Sequence, residues 1–326
     1  MEKNTEVLYS PINIKTIRAD TLGSFSIYIK VSDNFVLYHA NGEKISRGIL
    51  SKLSNNKVEV VYIKTVEEDQ YNEYLERNLK NVLADPDIPV KEKSEIVHFS
   101  LTNIAGSLFE NVPQLKTLNT YKSTVTQVTD FIMAEEEAIF NLIKMSELDF
   151  KISTHSINVG MFSLGLAKIL LGENSRVDLK DAATGFFLHD IGKCLIPPKT
   201  YNKVTPLSYD EWRMLKQHPS HGYKILNKYN LNNETVKAII MQHHERNSGK
   251  GYPFGLKGDQ INVCSKICAL ADSFESLTAY RPYRAPNERK IGSFKALQKL
   301  KAEMSSEFPP GLFQKFVMMF SKSAAT

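Results

Sequence analysis

The sequence predicts a mainly α-helical protein, with an all-α helical bundle at the C-terminus preceded by a small α+β domain that contains an antiparallel sheet. Apolar residues alternate in short segments before residue 65 and recur at helical spacing after it. With 326 residues, 42% of them hydrophobic, the chain is long enough for roughly two domains. We place the α+β domain at 1–90, a helical linker at 91–147 and the bundle at 148–326.

The sheet is predicted from three segments. SFSIYIKV at 24–31 alternates apolar and polar residues and is followed by a polar turn and the apolar run FVLYH at 35–39, a pattern typical of a hairpin. VEVVYI at 58–63 is a third strand candidate. We therefore expect a small antiparallel sheet within 8–65.

Helical periodicity begins where the alternation ends. Thr65 and Glu68 have the spacing of a capping box, which predicts a helix start, and DPDIP at 85–89 should end that helix. Residues 91–146 contain few helix breakers. They predict long helices that join the sheet domain to the bundle.

The first helix of the bundle combines a histidine with an apolar stripe. Its members step by four and three residues, the spacing of one helix face. They are His155, Val159, Phe162, Leu166 and Ile169. His155 should therefore face the core. A second helix runs through DAATGFFLHD to a break at Gly192.

A third helix should begin at a capping box formed by Ser208 and Glu211. Its expected inner face carries Trp212, Leu215 and His218.

The fourth helix should direct histidines toward the core. Val236, Ile239 and Ile240 form an apolar face that leads to the pair His243 and His244. A further apolar segment, VCSKICALADSFESLTAY, contains Asp272. Strand patterns are lacking here, so this half should be an all-α bundle.

Composition excludes several classes of protein. A net charge of +5 is compatible with an anionic ligand but not typical of proteins that coat a nucleic-acid polymer. The sequence shows neither a secretion signal nor an apolar stretch for membrane insertion. Three cysteines without a CxxC pair argue against a disulfide framework and a thiolate zinc site. We expect a cytoplasmic protein.

Six of the eight histidines fall between residues 155 and 244. Taken singly, each of these histidines is most simply interpreted as a core residue that is hydrogen-bonded to a carbonyl oxygen. Together with two aspartates from separate helices they would be costly to bury unless a shared metal satisfied them. The expected ligands are His155, His189, Asp190, His218, His243, His244 and Asp272.

These nitrogen and oxygen donors predict two divalent metal ions, with iron or manganese favoured. Asp190 could bridge the two ions. Such ions, about 3.5 to 4 Å apart, activate water and stabilise charge on a phosphate, which makes phosphodiester hydrolysis the reaction that this site would serve.

Five linked motifs resemble the HD-GYP family over roughly residues 150–320. They are HDIGK at 189–193, HPSHG at 218–222, HHE at 243–245, GYP at 251–253 and ADSFESLTAYRPYR at 271–284. The resemblance implies an HD-type helical bundle that opens cyclic di-GMP to pGpG or on to GMP, with a metal-bridging hydroxide as nucleophile. Some members of the family prefer cyclic GMP-AMP.

The resemblance also implies roles for individual residues. The seven histidines and aspartates would be metal ligands, and Asp190 and Lys193 would be catalytic. The substrate-binding residues would be Lys193, Gly251, Tyr252, Pro253, Arg281 and Arg284.

Two departures from the family pattern affect this interpretation. Lys151 stands where many members have a glutamate associated with a third metal, so we favour two metals. Ser248 and Gly249 stand where the family commonly has Asp-Gly before the GYP loop, which should affect loop geometry and turnover rate.

Two other functions remain open from the sequence. The protein could be a catalytically weak cyclic-dinucleotide receptor or a scaffold that docks a partner through the GYP surface. It could also be an HD enzyme acting on dNTPs or ppGpp, although that leaves several histidines and the GYP motif unexplained. We further expect a signalling partner such as a diguanylate cyclase, and a possible homodimer.

Overall fold

The computed structural model describes residues 8–21, 23–110, 112–145, 152–172, 175–201, 203, 205–279 and 291–323. Within them, a small antiparallel sheet near the N-terminus is followed by helices that continue to the end of the described chain. The predicted fold class is confirmed. The predicted domain boundaries stay predictions.

The sheet has four antiparallel strands in the order β1-β4-β2-β3. The strands are β1 (Tyr9–Asn13), β2 (Ile27–Val31), β3 (Asn34–His39) and β4 (Val60–Lys64). One face is buried through Ile12, Ile27, Val61 and Ile63, as expected from side-chain alternation. The predicted hairpin is confirmed as β2 and β3.

A short helix between β3 and β4 escaped the sequence analysis. This helix, α1 (Arg47–Asn55), is capped by the Ser46 side chain, which accepts a hydrogen bond from the Ile49 amide. It buries Leu53 as its main apolar anchor. A helix with so few buried positions gives little periodic signal.

The capping box predicted at Thr65 and Glu68 was wrong. Thr65–Glu67 form a 3-10 turn, and α2 (Glu68–Ala84) begins after it without a side-chain cap. Both polar side chains instead contact the Ser10 hydroxyl of β1. Tertiary contacts with the sheet therefore replaced the local cap, while the break after Ala84 is confirmed.

Three helices then connect the sheet to the bundle. They are α3 (Val90–Glu110), α4 (Leu115–Ala134) and α5 (Ala138–Met145). α3 contacts the sheet domain at one end and packs against the 3-10 turn Ile191–Leu195 of the bundle. The predicted long helices are confirmed.

The bundle consists of nine helices among the described residues. They are α6 (Ile152–Leu171), α7 (Leu179–Leu188), α8 (Pro198–Tyr201), α9 (Tyr209–Leu215), α10 (His218–Lys228), α11 (Glu234–Gln242), α12 (Val263–Thr278), α13 (Ser293–Met304) and α14 (Pro310–Ser323). In the part of the chain that the structure describes, no helix has both the length and the apolar character needed to cross a membrane.

Two helix faces differ from the sequence prediction. Ile169, the last member of the α6 stripe, has 43% of its surface exposed, whereas the following Leu170 and Leu171 pack against the core. The predicted face of Trp212, Leu215 and His218 does not exist. The capped helix α9 ends at Leu215, Trp212 is exposed, and His218 opens α10.

The boundary before α10 has a local cause. Pro219 follows His218, and proline is tolerated in the first turn of a helix but not in its interior. A single helix through both segments is therefore disfavoured. The capping box of Ser208 and Glu211 is confirmed.

Candidate metal centre

Imidazole and carboxylate side chains from five parts of the bundle meet in its interior. His155 lies on α6, and His189 ends α7 and is followed by Asp190. The remaining members are His218 at the start of α10, His243 and His244 after α11, and Asp272 on α12. We call these seven residues the His/Asp cluster.

Gly192 allows two of these elements to approach. A Cβ atom at this position would lie 2.0 Å from the His218 carbonyl oxygen and 2.4 Å from the Gly222 amide nitrogen. Only a residue without a side chain fits there. The turn after Asp190 can therefore pack directly against the backbone of α10, next to His218.

The Asp190 carboxylate lies between two sets of histidines. Its Oδ1 is 3.2 Å from His218 Nε2 and 3.9 Å from His243 Nε2. Its Oδ2 is 3.3 Å from His155 Nε2 and 3.5 Å from His189 Nε2. Each carboxylate oxygen thus faces a different pair of imidazole nitrogens, an arrangement suited to bridging two cations.

Two groups of possible ligand atoms share this carboxylate. Within each group the atoms lie within 4.8 Å of one another. The first group is Asp190, His218, His243 and His244, and the second is His155, His189 and Asp190. Asp272 also spans both, with Oδ1 3.3 Å from His155 Nε2 and Oδ2 3.7 Å from His244 Nδ1.

Backbone carbonyls fix the orientation of three imidazoles. The Nδ1–H group of His189 donates to the Phe186 carbonyl oxygen at 2.8 Å. The Nδ1–H group of His218 donates to Leu215 at 2.7 Å, and that of His243 donates to Ile240 at 2.9 Å. A ring that donates through Nδ1 presents the lone pair of Nε2 in its neutral form. Each Nε2 is thereby prepared to bind a cation.

Buried polar atoms without partners indicate what fits the centre. Within the described residues, His189 Nε2 and Asp190 Oδ1 are buried and make no hydrogen bond. Such atoms are costly to bury unless another group satisfies them. A divalent cation bound by nitrogen and oxygen atoms would do so, and the donor set is therefore compatible with metals of the iron and manganese type.

Burial and charge hold four members of the cluster, three histidines and Asp190, in the protonation states that bind metals. Burial lowers the pKa of His218 to about 4 and lowers the pKa values of His243 and His244 well below the ordinary value. Burial would raise the pKa of Asp190, but Lys193 and the neighbouring histidines hold it well below its usual range. Neutral imidazoles and an ionised carboxylate follow from these directions.

Glu275 is a member of the site that the sequence analysis missed. Its Oε2 lies 2.5 Å from His155 Nδ1, and the residue is only 2% exposed. Although burial opposes charging, Glu275 and the two aspartates raise the pKa of His155 well above its ordinary value. Glu275 follows Asp272 by one helical turn, and this spacing was the available signal.

Glu245 anchors the loop that follows the paired histidines. It is 2% exposed, and its carboxylate accepts hydrogen bonds from the amides of Phe254 at 2.7 Å and Leu256 at 2.9 Å. A Cβ atom on Gly251 would lie 2.5 Å from the Glu245 Cα and from the His244 carbonyl oxygen. The loop therefore lies directly against the backbone of the cluster.

Tyr252 forms part of the wall beside the cluster. Its ring stacks on His244, with centroids 4.6 Å apart and an angle of 24° between the planes. The Lys216 ammonium lies 5.5 Å from the Tyr252 ring centroid. An aromatic surface and a positive charge are thus available next to the ligand atoms.

Among the described residues, two members of the cluster are more exposed than its centre. The side chains of His244 and Asp272 are 17% and 10% exposed, whereas those of His189, Asp190 and His218 are at most 1% exposed. His244 and Asp272 also line a cleft of about 260 Å³ between α12 and α13. Among the described residues, this cleft therefore borders the ligand atoms.

Comparison with known proteins identifies relatives of this bundle. Residues 161–307 match the HD domain family. A cyclic di-GMP phosphodiesterase of Pseudomonas aeruginosa is 28% identical over 59% of this chain and 45% of its own length. A cyclic di-GMP phosphodiesterase of Thermotoga maritima is 31% identical over 54% of this chain and 49% of its own length. Residues 161–307 are therefore an HD domain, and its motifs resemble those of the HD-GYP family.

Other comparisons extend this resemblance. A 3'3'-cGAMP-specific phosphodiesterase of Vibrio cholerae is 32% identical over 50% of this chain and 31% of its own length. The chain thus spans less than half the length of these three relatives. The fold of Bd1817, an HDG"Y"P protein from Bdellovibrio bacteriovorus, matches with a TM-score of 0.68 at 24% identity, covering 96% of this chain and all of Bd1817.

The HD-GYP motifs meet around the cluster as far as the structure describes them. All seven predicted ligands lie together, the Lys193 ammonium contacts the Asp190 carboxylate, and Gly251 and Tyr252 lie beside His244. Arg281, Arg284 and Lys151, whose roles were inferred from the resemblance, lie outside the described residues.

Cys194, which neighbours the HD-GYP lysine, packs against the core. Burial raises the pKa of its thiol to about 11, so it stays protonated.

Proposed function

We propose that this protein belongs to the HD-GYP family and is a metal-dependent phosphodiesterase that hydrolyses a cyclic dinucleotide, cyclic di-GMP to pGpG and/or GMP, with cyclic GMP-AMP as a related substrate. The proposal rests chiefly on Asp190, whose two carboxylate oxygens face separate pairs of histidine nitrogens. Relatives named as phosphodiesterases of both substrates support it.

The seven residues of the His/Asp cluster would hold two divalent ions, which we propose to be iron or manganese. When bound, such ions activate water as a nucleophile and stabilise negative charge on a phosphate. The chain itself orients the neutral imidazoles through backbone carbonyls and keeps Asp190 ionised in the buried centre.

Lys193 supplies a positive charge at the edge of the cluster. Its ammonium contacts Asp190, and its side chain is 18% exposed. An ammonium has three donors, so the contact with Asp190 leaves donors for a phosphate oxygen. Electrostatic stabilisation of the phosphate in the transition state is the role that we assign to it.

The loop after Glu245 limits the space in which the substrate lies. Gly251 keeps the loop against the cluster, and Tyr252 presents an aromatic face that can stack on a base. Pro253 follows directly and restricts the backbone of the same loop. This wall would hold the phosphate next to Asp190.

An activity assay with a metal-site variant tests the proposal. Protein loaded with manganese or ferrous iron should convert cyclic di-GMP to pGpG or GMP, and Asp190→Ala should reduce the rate by several orders of magnitude. Asp210→Ala, which changes a carboxylate that is 79% exposed on α9, should retain full activity. Equal rates in Asp190→Ala and wild type would exclude this centre, and tight binding without product would favour the receptor.

Cellular context is a separate proposal. The three cysteines are free thiols, and Cys264 and Cys268 are buried, as suits a reducing cytoplasm. The homodimer and the signalling partner stay predictions from the sequence.

A further inference from the structure

The cleft beside the His/Asp cluster has a second end with a different lining. His244 and Asp272 bound it on the side of the cluster, and α13 contributes Lys299, Glu303 and Met304 on the other side. The cleft has a volume of about 260 Å³. A molecule in it would touch the predicted metal ligands and α13 together.

Lys299 and Glu303 present opposite charges to this cleft. They are one helical turn apart, with Lys299 Nζ 4.0 Å from Glu303 Oε1, and their side chains are 39% and 60% exposed. A solvent-exposed pair at this distance is weak, so a ligand can replace the contact at little cost. Both a hydrogen-bond acceptor and a donor are therefore offered to the cleft.

Guanine has the matching pattern of polar groups. Its Watson–Crick edge carries O6 as an acceptor beside two donors, the N1–H group and the N2 amine. A carboxylate can accept from both donors while an ammonium donates to O6. Adenine has an acceptor at N1, which a carboxylate would repel.

We propose that this cleft is a guanine subsite, in which Glu303 and Lys299 read the Watson–Crick edge of one base of the cyclic dinucleotide. The inference rests on the proposed phosphodiesterase function, because the cleft opens onto His244 and Asp272. Leu300 and Met304 line the same cleft and supply apolar contacts for the base. A cyclic dinucleotide without guanine would lack these polar contacts.

Calorimetry with the metal-loaded full chain tests the subsite. The probes are hydrolysis-resistant phosphorothioate analogues of cyclic di-GMP and of its inosine counterpart, which lacks the N2 amine. Wild type should bind the guanine analogue roughly tenfold more tightly, since a hydrogen bond to a charged group has about that effect. In Glu303→Ala this preference should disappear, and affinity for the guanine analogue should fall roughly tenfold.

A matched control and the opposing outcomes complete the experiment. Glu234→Ala, which changes a glutamate that is 91% exposed on α11, should bind both analogues as wild type does. An undiminished guanine preference in Glu303→Ala, or equal binding of both analogues by wild type, overturns the subsite. If cyclic di-GMP is still hydrolysed, only the subsite has failed. Absence of both binding and hydrolysis overturns the proposed function as well.

Discussion

His155 and Glu275 form a buried contact that links α6 to α12, with His155 Nδ1 2.5 Å from Glu275 Oε2. The opposite ring nitrogen, Nε2, faces both Asp190 and Asp272 at 3.3 Å. Asn158, one turn along α6, also donates to Glu275 at 3.5 Å. Glu275 therefore determines which way the His155 ring points, without facing the cluster itself.

Replacing Glu275 should weaken metal binding without removing a ligand. In Glu275→Gln the charged partner of His155 is lost, and changes of this kind typically lower metal affinity about 10- to 100-fold. Isothermal titration calorimetry, in which manganese is added to the metal-free protein, measures the metal affinity. Glu234→Gln on the surface of α11 is the control, and equal affinities in the two variants would contradict a positioning role for Glu275.

Gly192 should be required for the stability of the bundle. The Cβ atom in Gly192→Ala would overlap backbone atoms of His218 and Gly222, so the turn and α10 must separate. We expect a loss of about 2 to 3 kcal/mol in the free energy of unfolding. Gly106→Ala is the control, because among the described residues no atom beyond its chain neighbours and its own helix backbone lies within 4 Å of the added Cβ. It should stabilise α3 by roughly 0.5 to 1 kcal/mol. Urea unfolding compares the variants, and equal midpoints would refute the close approach.

Local patterns predicted much of the bundle and the membership of the His/Asp cluster. His155 and His243 continue apolar stripes, so their burial followed from helical periodicity. Asp272 lies within an apolar segment, and a buried carboxylate requires partners. The sequence could therefore indicate which side chains meet, although not the distances between them.

The missed features depend on contacts between distant parts of the chain. Glu245 bonds amides nine and eleven residues later, which no periodicity encodes. Thr65 and Glu68 had the spacing of a cap, but a strand residue provided competing partners. His218 was placed on one helix face with Trp212, but the helix breaks after Leu215 and His218 begins α10.

Metal removal should lower thermal stability through the His/Asp cluster. His189 Nε2 and Asp190 Oδ1 have no hydrogen-bond partner within the described residues, so the metal-free protein retains unsatisfied buried atoms. A ligand at a hundredfold excess over its dissociation constant stabilises a protein by about 2.7 kcal/mol. We expect manganese to raise the melting temperature of chelator-treated protein by about 5 °C. Asp190→Ala should show no increase, and an equal shift in both proteins would place the metal elsewhere.

His98 should make the metal-free protein less stable in acid. This α3 residue is 7% exposed, and neither ring nitrogen has a hydrogen-bond partner among the described residues. Burial lowers the pKa of His98 to about 4, whereas an unfolded histidine titrates near 6.5. The unfolded state therefore binds an extra proton between these values, and stability falls as the pH decreases through that range.

His98→Leu measures this contribution. Between pH 7 and pH 4 the free energy of unfolding should fall less in the variant than in wild type, because leucine does not titrate. The difference between the two losses should be up to about 3 kcal/mol. Urea unfolding at both pH values provides the comparison. Identical losses in the two proteins would show that His98 is protonated in the folded state or has another partner.

Glu245 should control the loop beside the cluster separately from metal binding. Glutamine at this position has one acceptor oxygen where the carboxylate has two, so the amide of Phe254 or Leu256 would lose its partner. In Glu245→Gln we expect faster hydrogen exchange at these amides. Phosphodiesterase activity should be roughly tenfold lower, because a loosened loop positions the substrate less well, whereas manganese affinity should be unchanged.

Glu307→Gln is the comparison. Glu307 accepts one exposed hydrogen bond from Ser248 of the same loop, so its replacement should have a smaller effect. Unchanged exchange in Glu245→Gln would show that Gly251 and the packing of the loop are sufficient to hold it against the cluster.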